Sequence, residues 1–481
     1  MRVMAALSVL ASAVLAAAAV WMGALNQDEG WYVYAAQLVA EGLLPYRDFF
    51  FTQAPVMPIV YSAFDCVWEA FGLLGARVLT LGFGLFSIVF AVGIALNLAP
   101  EGKKGYAAVV AFLLLGCNLY HLYYLAIPKT YALAGLFAAL GFYLLTFPRR
   151  HWALAFAAGS ALAIAAGTRI SLGILLAVGG VWLLVGGRRK EAVAFAVAGA
   201  LVLAGIYGPF LFDDAARNGL LAAQSYHAAR GGADIVWTVG SLSRLVRWYL
   251  PLFVTAGIAV AFSSRERRMA VLPPFAGFAA VLAVQMLAPF PYEDYQVPVM
   301  GLFAASAAAL FAGSGAFTSR NAGRLLVLGM AFAAAFGSPL LQQWTTNQQD
   351  RFWSRKKTAT ELSQLRKTAA AIEKLDPGGK MLFTQDLYLA VETGRKVPRG
   401  LEMGPFAMMT DEKWKALIAS APCRIAAMSG YTFAIEPPEC GERPIGRQLE
   451  YWELLRRRYR LVDKVEDFGQ NATTLLILER K

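Results

Sequence analysis

The chain is a succession of apolar runs, and their length and number limit what it can fold into. They cover residues 4–25, 73–99, 106–120, 130–147, 152–167, 170–186, 192–212, 248–262, 269–289, 297–312 and 325–341 of 481. A helix needs about 20 apolar residues to cross the hydrocarbon core of a bilayer. Within lipid, backbone N–H and C=O groups must be satisfied by helices or closed barrels. The pattern predicts an α-helical polytopic membrane protein with about eleven transmembrane helices. Charged residues make up only 16% of the chain, against about 25% in soluble proteins.

A net charge of +12 in a soluble chain would suggest nucleic acid. Here the cations sit in short junctions between apolar runs, so no nucleic-acid partner is expected. The junctions alternate. One set carries Arg2, Lys103–Lys104, Arg149–Arg150, Arg188–Lys190, Arg265–Arg268 and Arg320 with Arg324. The other is acid-bearing, with Asp28, Glu29, Glu41, Asp48, Asp65 and Glu69, then Asp213, Asp214 and Asp234, then Glu293 and Asp294. Cytoplasmic loops carry the Lys/Arg excess. The amino terminus is therefore expected inside, with the first helix retained, and the acid-bearing loops outside. An odd number of spans divides the chain into a transmembrane domain, 1–341, and an extracytoplasmic domain, 342–481.

In the latter, a charged helix over 342–374 precedes the turn Asp376-Pro377-Gly378-Gly379. Strands are expected at 381–384, 424–429, 461–467 and 473–479, and helices at 386–393, 411–420 and 450–458. Strands alternating with helices predict a small α/β domain. No Gly-rich phosphate loop is present. Cys423 and Cys440 both lie here, and an oxidising compartment would allow a disulfide. No Cys/His spacing suggests a metal site.

The first external loop, 26–72, is the most informative segment. Helical spacing over 30–42 ends at Gly42 and Pro45, and 55–71 reads as a second helix, both amphipathic and lying along the membrane. Phe49–Phe51 is an apolar triplet between them. A long loop held at the membrane is more often functional than a connection. Asp28 and Glu29 leave the first helix directly, beneath aromatics. Partial desolvation there raises a carboxylate's basicity, which suits a general base for an acceptor hydroxyl or amine.

Asp28-Glu29, Tyr32, Tyr34, Gly42, Pro45-Tyr46, Asp48, Pro55, Tyr61, Phe71-Gly72 and Arg77 resemble the first external loop of GT-C glycosyltransferases. The pattern is most similar to family 39, which includes protein O-mannosyltransferases and lipid A aminoarabinose transferases. The resemblance implies a polyprenyl-phosphate sugar donor, a lipid, glycan or protein acceptor, and chemistry at the extracytoplasmic face of the plasma (bacterial inner) membrane. It makes Asp28 the catalytic base with Glu29 beside it. Family members also have a basic residue near the position of Arg169. They often carry a second acid in the turn where this chain has Lys129, which is a departure.

Lys129 and Arg169 lie at outer ends of short helices, where cations can clamp a departing phosphate; Arg77 is a further candidate, or a partner of Asp65 or Glu69. Tyr34, Tyr46, Asp48 and the loop residues Tyr292, Glu293, Asp294 and Tyr295 are candidate substrate contacts. The loop 213–247, with Gln224, Tyr226, His227 and Arg230, is a candidate lid. No cofactor is expected; Asp28, Glu29, Asp48 and Glu293 are the oxygen ligands available should a divalent metal bind. The alternatives are a lipid-linked-sugar flippase, which would place charges near the bilayer midplane, and a non-catalytic scaffold.

Overall fold

The computed structural model describes residues 2–228, 234–288, 290–314, 329, 359–407, 409–429, 445–470 and 472–481. The apolar run 325–341 and Cys440 lie outside them. The other ten runs are all helical. α1 (Arg2–Met22) leads to the first-loop helices α2 (Gln27–Ala40) and α3 (Val56–Ser62). α4 (Asp65–Leu98), α5 (Lys104–Gly116), α6 (Leu119–Ala126), α7 (Thr130–Thr146), α8 (Trp152–Thr168), α9 (Ile174–Val185) and α10 (Arg189–Leu211) follow. α11 (Asp214–Ala228), α12 (Ile235–Trp248), α13 (Leu250–Ala261), α14 (Arg265–Ala270), α15 (Leu272–Met286) and α16 (Val297–Gly313) complete the helical body.

Among the described residues, four helices are long and apolar enough to cross a membrane, and two bent pairs raise this to six. The bends are 68° between α5 and α6 and 84° between α12 and α13. Apolar helices of 10–17 residues account for the remaining runs. Outward-facing residues such as Leu10, Phe86, Val89, Leu201 and Phe212 are exposed, as expected where lipid rather than water is the solvent.

The first-loop helix α2 does not present the exposed amphipathic face expected of it. α2 is buried on nearly every side, with Trp31, Tyr32, Tyr34 and Leu38 all enclosed. The second helix is broken: α3 ends at Ser62, and a fresh helix starts at Asp65 and bends at Gly72 (φ 60°, ψ −148°). Gly72 is suited to this backbone because it carries no Cβ. Phe49 and Phe51 are buried rather than facing water, because Phe51 packs edge-on to Trp31, Tyr32 and Tyr46.

The C-terminal elements form a small α/β domain. Its four-stranded sheet has the order β1 (Leu382–Phe383), β2 (Ile425–Ser429), β4 (Thr473–Arg480), β3 (Tyr459–Phe468). β1 pairs parallel with β2; β2 with β4 and β4 with β3 are antiparallel. Helices Glu361–Leu375, Leu387–Thr393, Asp411–Ser420 and Ile445–Arg458 accompany the sheet. This domain shares one apolar core with the first loop, running from Trp31, Tyr32 and Phe51 through Leu387 and Tyr388 to Ile425 and Leu478. Helix Leu387–Thr393 lies so close to α2 that a Cβ on Gly30 would come within 2.1 Å of the Tyr388 backbone nitrogen.

Candidate active site

The site is built on the turn between α1 and α2. Asn26 caps α2: its side chain accepts from Asp28 N–H, and Glu29 returns a carboxylate oxygen to Asn26 N–H at 2.8 Å, a reciprocal capping box. The turn and the first residues of α2 send Asp28 and Glu29 in different directions.

Glu29 points inward. Both its oxygens accept from Arg77, from Nε and Nη2, at 2.6 Å, and neither side chain is exposed. Arg77 also donates to the carbonyls of Val20, Gly23 and Ala24 at 2.9–3.1 Å. Its planar fork is thereby filled by the α1–α2 turn. Arg77 thus pairs with Glu29 rather than with Asp65 or Glu69, and its position corrects its expected role as a phosphate ligand. Glu29 braces the turn from inside.

Asp28 points the other way, with its side chain 25% exposed. One oxygen accepts from Trp31 Nε1 at 3.1 Å. The other meets Lys129 Nζ at 2.8 Å. Lys129 also reaches Asp294 Oδ2 at 3.2 Å, and that oxygen accepts from the Tyr131 hydroxyl at 2.9 Å. The Lys129 ammonium lies against the rings of Tyr124 and Tyr131. Burial works against this charge, but Asp28, Tyr131 and Asp294 outweigh it and hold the ammonium above the usual lysine range. Arg169 lies against the other side of the cluster: its guanidinium stacks 5.0 Å from the Tyr131 ring centroid and 4.6 Å from that of Tyr295. Its Nη1 donates to Thr130 Oγ1 at 3.3 Å, while its buried Nε has no hydrogen-bond partner among the described residues. The neighbouring Tyr32 hydroxyl is held protonated, its pKa raised by burial and next by the charge of Asp28.

Asp28, Lys129, Arg169, Asp294 and Tyr295, drawn from four separate segments, therefore converge around Tyr131. The Lys129 turn has no acid of its own, and Asp294 lies against it in space. Sequence reasoning misses Tyr131 and Thr130, and places Trp31 only in an aromatic stripe of 30–42; Tyr131 lies two residues beyond Lys129 in an aromatic-rich segment, a weak local signal.

The remaining candidates lie elsewhere. The Tyr34 hydroxyl accepts from Val397 N–H at 3.0 Å. Tyr46 is buried at positive φ, its hydroxyl donating to the Gln53 carbonyl and its ring edge-on to Phe210. These bonds tie Tyr34 and Tyr46 into the packing of the loop. Asp48 pairs with Arg47 at 2.8 Å and lines a cleft of ≈ 550 Å³ with Phe49, Arg399, Met403 and Lys413. Glu293 pairs with Arg244 at 3.0 Å. Tyr292 packs edge-on to Trp237 and Tyr295 near the surface. Asp28, Glu29, Asp48 and Glu293 thus each have a different cationic partner. Among the described residues no group of three His, Cys, Asp or Glu side chains is arranged to hold a metal ion. Buried Cys423 has its thiol pKa raised to about 11 by burial. Of the candidate lid, 214–228 is helical and packs at Gly219 against the Tyr46 backbone, and Asp234 caps α12; Arg230 lies outside the described residues.

Whole-chain comparison gives the fold a relative. ArnT from Cupriavidus metallidurans, in its undecaprenyl phosphate-bound crystal structure, is similar over 98% of this chain and 97% of that one (TM-score 0.62, 14% identity). Its apo crystal structure gives 0.61 and 15% over the same shares. The chain therefore shares the fold of these ArnT structures. The Archaeoglobus fulgidus oligosaccharyltransferase, in a complex with Zn and sulfate, is similar over 97% of this chain and 72% of that one (TM-score 0.52, 12% identity). No family model matches the sequence, and no curated protein matches it.

Proposed function

We propose that this protein is a membrane glycosyltransferase that moves a sugar from a polyprenyl-phosphate donor to an acceptor at the extracytoplasmic face. The observation that carries the proposal is the contact of Asp28 with Lys129 at 2.8 Å, with Arg169 stacked on the Tyr131 ring that also carries Lys129. A base and two cations then stand where an acceptor proton leaves and a phosphate departs. That ArnT has been solved with undecaprenyl phosphate supports this class of donor.

In this mechanism the donor phosphate takes Lys129 and Arg169 as counter-ions. Lys129 moves from Asp28 toward the phosphate, and Asp28 is freed to accept the proton of the acceptor hydroxyl or amine. The acceptor oxygen or nitrogen bonds to the anomeric carbon as the carbon–phosphate oxygen bond breaks. A single displacement of this kind inverts the anomeric centre. The polyprenyl phosphate leaves with its new negative charge held by fixed cations, which contribute most in a site shielded from water. Asp294 stays beside the Lys129 ammonium as it turns from Asp28 to the phosphate. The donor is already activated by its phosphate, so the reading needs no cofactor.

The test is transfer in detergent from polyprenyl-phosphate sugars, comparing wild type with Asp28→Asn. General-base catalysis contributes about 10²–10⁴-fold, so transfer should fall by that much while donor binding persists. Unaltered turnover would remove Asp28 from the role of base. Translocation of the lipid-linked sugar without a covalent product would replace the transferase reading with a transporter.

A further inference from the structure

The C-terminal domain touches the α1–α2 turn at the residues flanking Asp28. Leu25 N–H donates to Glu361 Oε2 at 2.7 Å, and that carboxylate is buried. Gln27 N–H, one of the free donors at the start of α2, donates to Gln470 Oε1 at 2.6 Å. The Gln27 side chain, itself buried, donates from Nε2 to Asp386 Oδ1 at 3.3 Å and to the Gln385 carbonyl at 3.4 Å. Asp386 is 2% exposed and also accepts from the Tyr388 hydroxyl at 3.0 Å. One turn further on, Gly30 lies against the Tyr388 backbone. Arg77 and Glu29 grip the same turn from the helical body.

We infer that the C-terminal domain is a positioning clamp for the reacting carboxylate, with Gln470 and Asp386 holding Gln27 and thereby setting the direction of Asp28. The inference rests on the proposed role of Asp28. First turns of helices carry unsatisfied N–H groups and fray unless capped. Here Asn26 supplies one cap locally, and the second is a side chain 443 positions away in sequence. A base must be held within a fraction of an ångström of its proton. A domain that caps the residue before the base and packs against the residue two beyond it meets that demand. Gln470 and Asp386 touch no reacting atom; they act through Gln27.

The experiment uses the full chain in detergent. Gln470→Ala and Asp386→Ala are compared with Gln470→Glu and Asp386→Asn, which keep the accepting oxygens, and with Glu412→Ala on the exposed face of helix Asp411–Ser420. Transfer kinetics and amide hydrogen exchange over 25–30 are measured for each. The clamp predicts a fall in kcat of about 10–100-fold in both alanine variants, with donor KM within about twofold. It predicts recovery in Gln470→Glu and Asp386→Asn, and faster exchange at 27–29 in Gln470→Ala. Unchanged kcat in both alanine variants, or a raised KM at constant kcat, overturns it. If an alanine variant does not fold, the conservative partner carries the comparison: a kcat loss there as large as in Asp28→Asn also overturns it. Failure of the wild type to transfer from any polyprenyl-phosphate sugar would sink the proposed function; exchange at 27–29 would still decide the clamp, with unchanged protection in Gln470→Ala overturning it.

Discussion

Replacing Arg77 with alanine should be among the most damaging single changes in the helical body, through stability rather than substrate affinity. Its guanidinium holds both oxygens of Glu29 at 2.6 Å, and neither side chain is exposed. Removing one partner of a buried ion pair costs about 3–5 kcal/mol, because the other charge is left without compensation. The carbonyls of Val20 and Gly23 also lose a donor, at about 1 kcal/mol each where nothing replaces it. The Ala24 carbonyl keeps the Tyr123 hydroxyl. The sum is about 5–7 kcal/mol, against a typical total of about 5–15 kcal/mol for a folded domain. The assay is a four-protein cycle of wild type, Arg77→Ala, Glu29→Gln and the double variant, followed by denaturant and thermal unfolding in detergent. The double variant should be more stable than Arg77→Ala alone, since it carries no orphaned charge. A coupling energy below about 0.5 kcal/mol would mean that the two sites act independently, and the bracing role of the pair would be refuted. So would an Arg77→Ala protein of unchanged stability that binds polyprenyl phosphate more weakly, which would return Arg77 to the phosphate.

Gly30→Ala should loosen the docking of the C-terminal domain, because the added Cβ meets backbone at 2.1 Å and 2.6 Å; overpacking of this kind costs about 1–3 kcal/mol, and limited proteolysis between 375 and 400 should accelerate. Gly72→Ala is strained by its positive φ and also meets the Glu392 carboxylate that accepts from Leu73 N–H; a loss of about 1–3 kcal/mol should appear in thermal unfolding. Burial raises the pKa of Asp386, partly offset by its hydrogen bonds from Tyr388, Gln27 and Ser429. Above its ordinary value the native state then binds more protons than the unfolded chain, so this group's contribution falls as pH rises through the folded pKa. Asp386→Asn should remove that loss and raise the unfolding midpoint at neutral pH relative to mildly acidic pH. An unchanged pH profile would mean Asp386 is ionised in both states.

Much of the fold was legible because membrane insertion writes itself into local composition. Ten apolar runs are ten helical segments or bent pairs, and the β-strand and helix positions of the C-terminal domain follow the alternation read from 376–481. The misreadings lie where a segment is covered by something distant. Aromatics on α2 read as a membrane-facing stripe, but Trp31 packs on Phe51 and the Tyr34 hydroxyl accepts from Val397 N–H, so distant segments cover them. The segment 55–71 reads as one continuous helix because its break, at Ala63 and Phe64, carries neither Gly nor Pro to mark it.

The sequence by itself determined that the chain is a polytopic membrane protein, and it singled out Asp28, Lys129 and Arg169, which the fold brings to one cluster. Hydropathy and charge alternation are local quantities, set by the solvent each stretch must face. Only the tertiary structure decided the pairings. Glu29 and Asp28 are adjacent, yet one is spent on Arg77, 48 positions away, and the other meets Lys129 beside Asp294, itself 165 positions from that lysine. Opposite charges in a low-dielectric interior must find partners wherever packing brings them, and no local pattern records which partner that will be.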